Sequence, residues 1–184
     1  VPGSRDWLLY CGSLSKVLSP GLRVGWLIAP QGLLQRATMC KQFSDAHTST
    51  YAQATAAQYL QSGRMPATLE HVRQVYGQRA AAMGAALRRE LGDAFSFNQP
   101  QGGLFFWGRL TGSGGAMADG QALAKKAIEH NVAFVPGAPF FADHPDLASL
   151  RLSFATSDLA KIEEGVDRKS TRLNSSHGYI SYAV

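Results

Sequence analysis

Ser13-Leu14-Ser15-Lys16, followed by Pro20-Gly21-Leu22-Arg23-Val24-Gly25-Trp26, is the most informative stretch of this chain. The apolar run Trp7–Cys11, bounded by Gly12, predicts a buried strand leading into it. Gly12–Gly21 is rich in Ser, Gly and Pro and predicts a loop. Val24–Ala29, closed by Pro30, predicts a second strand. Lys16 then sits on a loop directly after a strand, where a side chain can be held rigidly. Arg23 lies seven positions later, just before the next strand, and Ser13 and Ser15 flank the lysine. Ser and Arg hold phosphate through charge-assisted hydrogen bonds. A lysine whose pKa is lowered by burial and a neighbouring cation forms Schiff bases. Together the residues suit a phosphorylated carbonyl cofactor. An isolated Lys-plus-Arg loop is, on its own, more often a pair of exposed cations. A Walker-type phosphate loop does not fit, because no Gly-x-x-x-x-Gly-Lys precedes a helix here.

Outward from this loop the pattern turns helical. Leu33–Phe43 has apolar residues on one side, and Thr50–Leu60 is rich in Ala and Gln. Gly63 and Pro66 predict a break. Thr68–Leu91 places Leu69, Val72, Val75, Tyr76, Met83 and Leu87 at helical spacing, and Gly92 ends it. The second half reads as short strands at Phe95–Phe97, Leu104–Leu110, Ala133–Val135 and Leu150–Phe154. Gly120–His130 predicts a helix, Ser157 a cap for a last helix through Gly165, and Gly112–Gly115 a flexible loop. Mixed strands and helices indicate an α/β or α+β chain. The expected boundary lies within the long helix near Arg79, dividing 1–78 from 79–166; packing of everything on one core is the alternative.

The 184 residues are 45% hydrophobic and 17% charged, the composition of a globular chain rather than a disordered one. No apolar run reaches the length of a membrane span, and Val1–Trp7 lacks a signal-peptide pattern. Cys11 and Cys40 form neither a metal spacing nor a disulfide framework, so a reducing cytoplasm is the expected setting. The net charge of +5 owes two charges to Asp167–Val184. In that segment, Asp167–His177 resembles one reading frame of a common sequencing adapter, with Gly178-Tyr179 as its variable index. Residues 167–184 are therefore read as a non-native, adapter-derived tail. Elsewhere Lys and Arg are spread among acids without a basic stripe, and no nucleic-acid or membrane partner is expected.

The motif Ser-x-Ser-Lys-x-x-x-Pro-Gly-x-Arg-x-Gly resembles the Schiff-base lysine motif of fold-type-I pyridoxal-phosphate enzymes of the class I/II aminotransferase family. His47-Thr48-Ser49-Thr50 and Pro100-Gln101-Gly102-Gly103-Leu104-Phe105-Phe106-Trp107 resemble segments of its 2-aminoadipate and kynurenine aminotransferase branch. Val135-Pro136-Gly137, Phe140-Phe141 and Leu150-Arg151-Leu152-Ser153-Phe154 are similar to two later strand motifs of that branch. The resemblance covers nearly all of Trp7–Val166.

The resemblance implies an α/β fold: the end of the large, cofactor-binding domain plus the small C-terminal domain. It implies pyridoxal 5'-phosphate as cofactor, with Lys16 as the Schiff-base lysine and proton shuttle. Ser13 and Arg23 would bind the cofactor phosphate, and Arg151 would clamp the substrate carboxylate, for which a bidentate guanidinium is well suited. The role of Ser15 is less defined. Gly102–Gly103 reads as a backbone-permissive turn, His47 carries no acid–base role, and Phe105, Phe106 and Trp107 read as core. The implied reaction moves an amino group from an amino acid (2-aminoadipate, aromatic or branched-chain) to a 2-oxo acid, in a homodimer when full length. The family's N-terminal cofactor residues have no counterpart here, so the chain reads as a C-terminal fragment expected to be inactive alone. Two rival readings stay open. One is the aminotransferase-like effector domain of a winged-helix transcriptional regulator; the other is a lyase or synthase on the same fold.

Overall fold

A computed structural model describes residues 6–111, 119–129 and 131–170. The chain divides into two compact units, with the division between Val72 and Arg73, inside its longest helix.

In the first unit, strands β1 (Tyr10–Ser13) and β2 (Gly25–Ile28) form a two-stranded antiparallel ribbon. Gly12 faces Trp26 and Ser13 faces Gly25. Three helices follow: α1 (Gln31–Asp45), α2 (Thr50–Gln61) and the start of α3 (Met65–Leu91). Pro30 immediately precedes α1, and the Ser49 hydroxyl caps α2 by accepting from the Ala52 N–H at 3.4 Å. The break between α2 and α3 falls at Ser62–Arg64, where Gly63 takes φ 72°. Pro66 belongs to the first turn of α3, where its missing N–H has no intrahelical role.

The buried strand expected at Trp7–Cys11 is not buried. Regular pairing starts at Tyr10, and Trp7, Leu8, Leu9, Tyr10 and Cys11 are all exposed. An apolar run is buried only where another layer covers it. Among the described residues, no further strand pairs with this ribbon. The same reason leaves Leu33, Met39 and Phe43 of α1 exposed.

The second unit holds an antiparallel sheet in the order β3-β4-β6-β5. Its strands are β3 (Phe95–Phe97), β4 (Phe105–Leu110), β5 (Val135–Pro136) and β6 (Ser149–Ser153). Helices α4 (Gly120–Glu129) and α5 (Leu159–Ser170) complete it with the rest of α3. One face of the sheet carries Phe106, Leu150 and Leu152 into a core with Ala80, Met83, Ala86 and Leu87 of α3 and Ile162 and Val166 of α5. Phe106 and Phe154 meet edge-on there, with ring centroids 5.8 Å apart.

The strand period of two splits the aromatic cluster that reads as core in the sequence. Phe106 is fully buried, whereas Phe105 and Trp107 point from the opposite face and are exposed. At the sheet edge, β5 pairs through Val135 and Pro136, later than the expected strand, and an edge tolerates proline. Asp158, not Ser157, caps α5: its carboxylate accepts from the Lys161 N–H at 2.8 Å. The helix continues past Gly165 to Ser170, and Ile162 and Val166, about one turn apart, both pack in the core. Residues 171–184 and the loop expected at Gly112–Gly115 lie outside the described residues. Among the described residues, no helix is long and apolar enough to cross a membrane, and no cluster of His, Cys, Asp and Glu could hold a metal ion.

Candidate functional site

The loop between β1 and β2 is wound around one buried residue. Leu14 is 5% exposed, and its N–H donates to the Val24 carbonyl at 3.0 Å, pinning the loop's entry to its exit. The Leu14 carbonyl accepts from the N–H groups of Leu18 at 2.9 Å and Ser19 at 3.1 Å. Lys16 stands on the resulting turn and is exposed, where the sequence argument expected burial. The Ser13 hydroxyl oxygen accepts from the Ser15 N–H at 3.3 Å, which leaves its own O–H to donate elsewhere.

Arg23 follows a single 3-10 turn, Pro20–Leu22. It takes the left-handed conformation, φ 54° and ψ 33°, and its N–H and Nη1 both donate to the Pro20 carbonyl. A non-glycine residue there costs on the order of 1–2 kcal/mol, and such strain concentrates where a site needs it. Ser13 ends β1 and Arg23 lies two residues before β2, while Ser13 and Gly25 are paired. Ser13, Lys16 and Arg23 therefore lie at one end of the ribbon. That donor set is one amine, one hydroxyl and one guanidinium, which fits an aldehyde bearing a phosphate.

Arg151 lies in the second unit, at the middle of β6, between Trp107 of β4 and Val135 of β5. Its Cζ is 4.4 Å from the centre of the Phe105 ring and 4.7 Å from that of Phe140. Its Nε is buried and has no hydrogen-bond partner among the described residues. An unmet buried donor costs roughly 1–3 kcal/mol, so it marks a place prepared for an acceptor. Trp107 packs edge-on against Phe140 at 5.7 Å and lies 6.0 Å from Phe141. Phe105, Trp107 and Phe140 thus make an aromatic bay around the guanidinium. Reading the three β4 aromatics together as core missed it. The alternation of the strand and the Pro136-Gly137 turn were the available signals.

Two residues before Arg151, a polar clasp holds the start of β6. The Asp146 carboxylate accepts from the Ser149 hydroxyl at 2.9 Å, the Ala148 N–H at 3.0 Å and Arg109 Nε at 2.9 Å. Partial burial alone would raise the Asp146 pKa, but these three donors outweigh it and hold the group below its usual value. His47 is exposed, and its Nδ1 lies 2.9 Å from the neighbouring Thr48 carbonyl oxygen. Gly103 takes φ 78° with open space around it, so its freedom serves the turn into β4.

Residues 3–168 match the family described as aminotransferase class I and II. The chain is 45% identical over 161 residues to the 2-aminoadipate transaminase of Thermus thermophilus, covering 88% of this chain and 39% of that protein. It is 31% identical over 159 residues to an uncharacterized HTH-type transcriptional regulator of Bacillus subtilis, covering 86% and 32%. It is similar to the crystal structure of the alpha-aminoadipate aminotransferase of Thermus thermophilus complexed with N-(5'-phosphopyridoxyl)-L-leucine. That match has a TM-score of 0.81 at 42% identity over 90% of this chain and 41% of that one. The chain therefore spans well under half the length of these relatives.

Proposed function

Because this chain belongs to the class I and II aminotransferase family, we propose that it is part of a pyridoxal-phosphate-dependent transaminase. The reaction moves an amino group from a 2-aminoadipate-like, aromatic or branched-chain amino acid to a 2-oxo acid. The observation that carries this reading is the lysine loop: Lys16 presented between Ser13 and a strained Arg23 at one end of the β1–β2 ribbon. When bound, pyridoxal phosphate supplies the electron sink for the charge left as the substrate loses its Cα proton.

The chain's own residues supply the rest. Ser13 would donate its hydroxyl, and Arg23 its remaining N–H groups, to the cofactor phosphate. Lys16 would hold the cofactor through its carbonyl carbon, and its free amine would serve as the base that carries the substrate Cα proton. Arg151 takes the substrate carboxylate along its free edge. The intact protein acts as a homodimer in the cytoplasm. The regulator reading is the weaker one: the regulator relative is 31% identical to this chain and the transaminase 45%.

The test is product analysis of the full-length protein given pyridoxal phosphate, an amino acid and a 2-oxo acid acceptor. Formation of a new 2-oxo acid with a new amino acid is expected. Pyruvate with ammonia would point to a lyase instead. DNA retention without turnover would sink the enzyme reading.

A further inference from the structure

We propose that Phe105 and Phe140 are positioning residues that set the Arg151 guanidinium for the substrate carboxylate, which rests on reading Arg151 as the carboxylate site. Among the described residues of this unit, three arginines lie over aromatic rings. Arg79 lies 5.9 Å from the Tyr76 ring and donates to the Ala155 carbonyl. Arg88 lies 5.1 Å from the Phe97 ring and donates to Gln99 Oε1 at 3.1 Å. Each of these two donates a hydrogen bond to an acceptor within the protein, which ties its guanidinium to the fold.

Arg151 is different in both respects. It meets two rings, at 4.4 and 4.7 Å, closer than either of the others. Its buried Nε has no acceptor among the described residues. A guanidinium is attracted by a ring through its face and donates hydrogen bonds along its edge. Rings therefore restrain Arg151 without consuming the donors that a carboxylate needs. Among the described residues, no acid is paired with Arg151 and would have to be displaced when the ligand arrives. Restraint of a flexible side chain before binding raises affinity by removing part of the ordering cost.

The two rings come from different places, which suits a device rather than an accident of one strand. Phe105 stands on β4, diagonal to Arg151. Phe140 ends the short turn Ala138–Phe140, which Gly137 holds against β6 through its N–H to the Ser149 carbonyl. Trp107 then buttresses Phe140 edge-on.

The experiment uses the full-length holoenzyme with 3-phenylpropionate and its uncharged counterpart 3-phenylpropionamide as binding probes. Phe105→Leu and Phe140→Leu keep apolar bulk but remove the ring face, and both positions are partly exposed, so the fold tolerates them. Each is expected to weaken the carboxylate roughly three- to tenfold and leave the amide unchanged. Phe140→Tyr restores the affinity. In an Arg151→Gln background, Phe140→Leu has no further effect on the carboxylate. Amino-acid KM rises in both leucine variants while kcat stays near wild type. Equal loss of carboxylate and amide would overturn the proposal, since the rings would then only line a hydrocarbon pocket. The same loss in the Arg151→Gln background would overturn it too, as would wild-type protein that binds both probes equally. Absence of transamination in a protein that still shows the coupling would sink the transaminase reading alone.

Discussion

The Gly137 N–H reaches the Ser149 carbonyl at 2.6 Å, and a Cβ on Gly137 would stand only 2.4 Å from the Ser149 Cβ. The atoms behind that contact are backbone: the Ser149 carbonyl carbon and oxygen both lie 2.8 Å from the same point. The glycine is needed for close approach, since its own backbone is not in the left-handed region. This contact delivers Phe140 to Arg151.

Gly137→Ala is therefore expected to push the turn away from β6 and to cost about 1–3 kcal/mol of stability, as overpacking does. Urea denaturation measures the loss. The variant should also reproduce the weaker carboxylate binding of Phe140→Leu. Wild-type stability with wild-type affinity would show that the turn moves freely and is not packed tightly on Ser149.

Lys16 is exposed, so truncating its side chain leaves no buried cavity. Lys16→Ala in the full-length protein should leave the thermal midpoint of the cofactor-free form unchanged. It should abolish transamination and the lysine-dependent visible absorbance of bound pyridoxal phosphate. Turnover at the wild-type rate would remove Lys16 from the reaction.

The two site arginines should separate by phenotype. With Arg23 proposed as a phosphate ligand, Arg23→Ala should weaken cofactor binding by roughly 1.5–3 kcal/mol, the loss of one charge-assisted hydrogen bond. Arg23→Gly should weaken it as much while relieving the backbone strain at φ 54°, so its cofactor-free form should be at least as stable as that of Arg23→Ala. Arg151→Ala should leave cofactor affinity intact and raise amino-acid KM. Exchanged phenotypes would reverse the two assignments.

The Asp146 clasp gives stability a pH dependence of definite sign. Burial opposes the ionised form, but the donors from Ser149, Ala148 and Arg109 hold its pKa below the usual 3.8. A depressed carboxylate pKa contributes stability that is complete above the unfolded value and is lost as pH falls through the folded one. Urea midpoints should therefore drop on acidification below about pH 4, and Asp146→Asn should flatten that drop. A variant with an unchanged acid limb would show that the clasp does not contribute.

The lysine loop and the helices were legible because their signals are local. Pro30, Gly63 and Gly92 punctuate the elements, and the apolar residues of Thr68–Leu91 recur at helical spacing within α3. Ser13, Lys16 and Arg23 lie on one short loop and its strand ends, so strand–loop–strand was enough to gather them at one end of a ribbon.

Burial and the aromatic bay came instead from contacts across the sheet. Alternation requires Phe105 and Phe106 to face opposite ways, but with both apolar the pattern does not say which one enters the core; packing of α3 and α5 against one face does. Likewise Trp7–Cys11 is apolar enough for a covered strand, yet its exposure depends on what lies over it, a property of the assembled layers and not of the run. Phe105, Phe140 and Arg151 are distant in the chain. They meet because β6 pairs between β4 and β5, and non-local strand pairing is specified by the fit of whole faces rather than by any one segment.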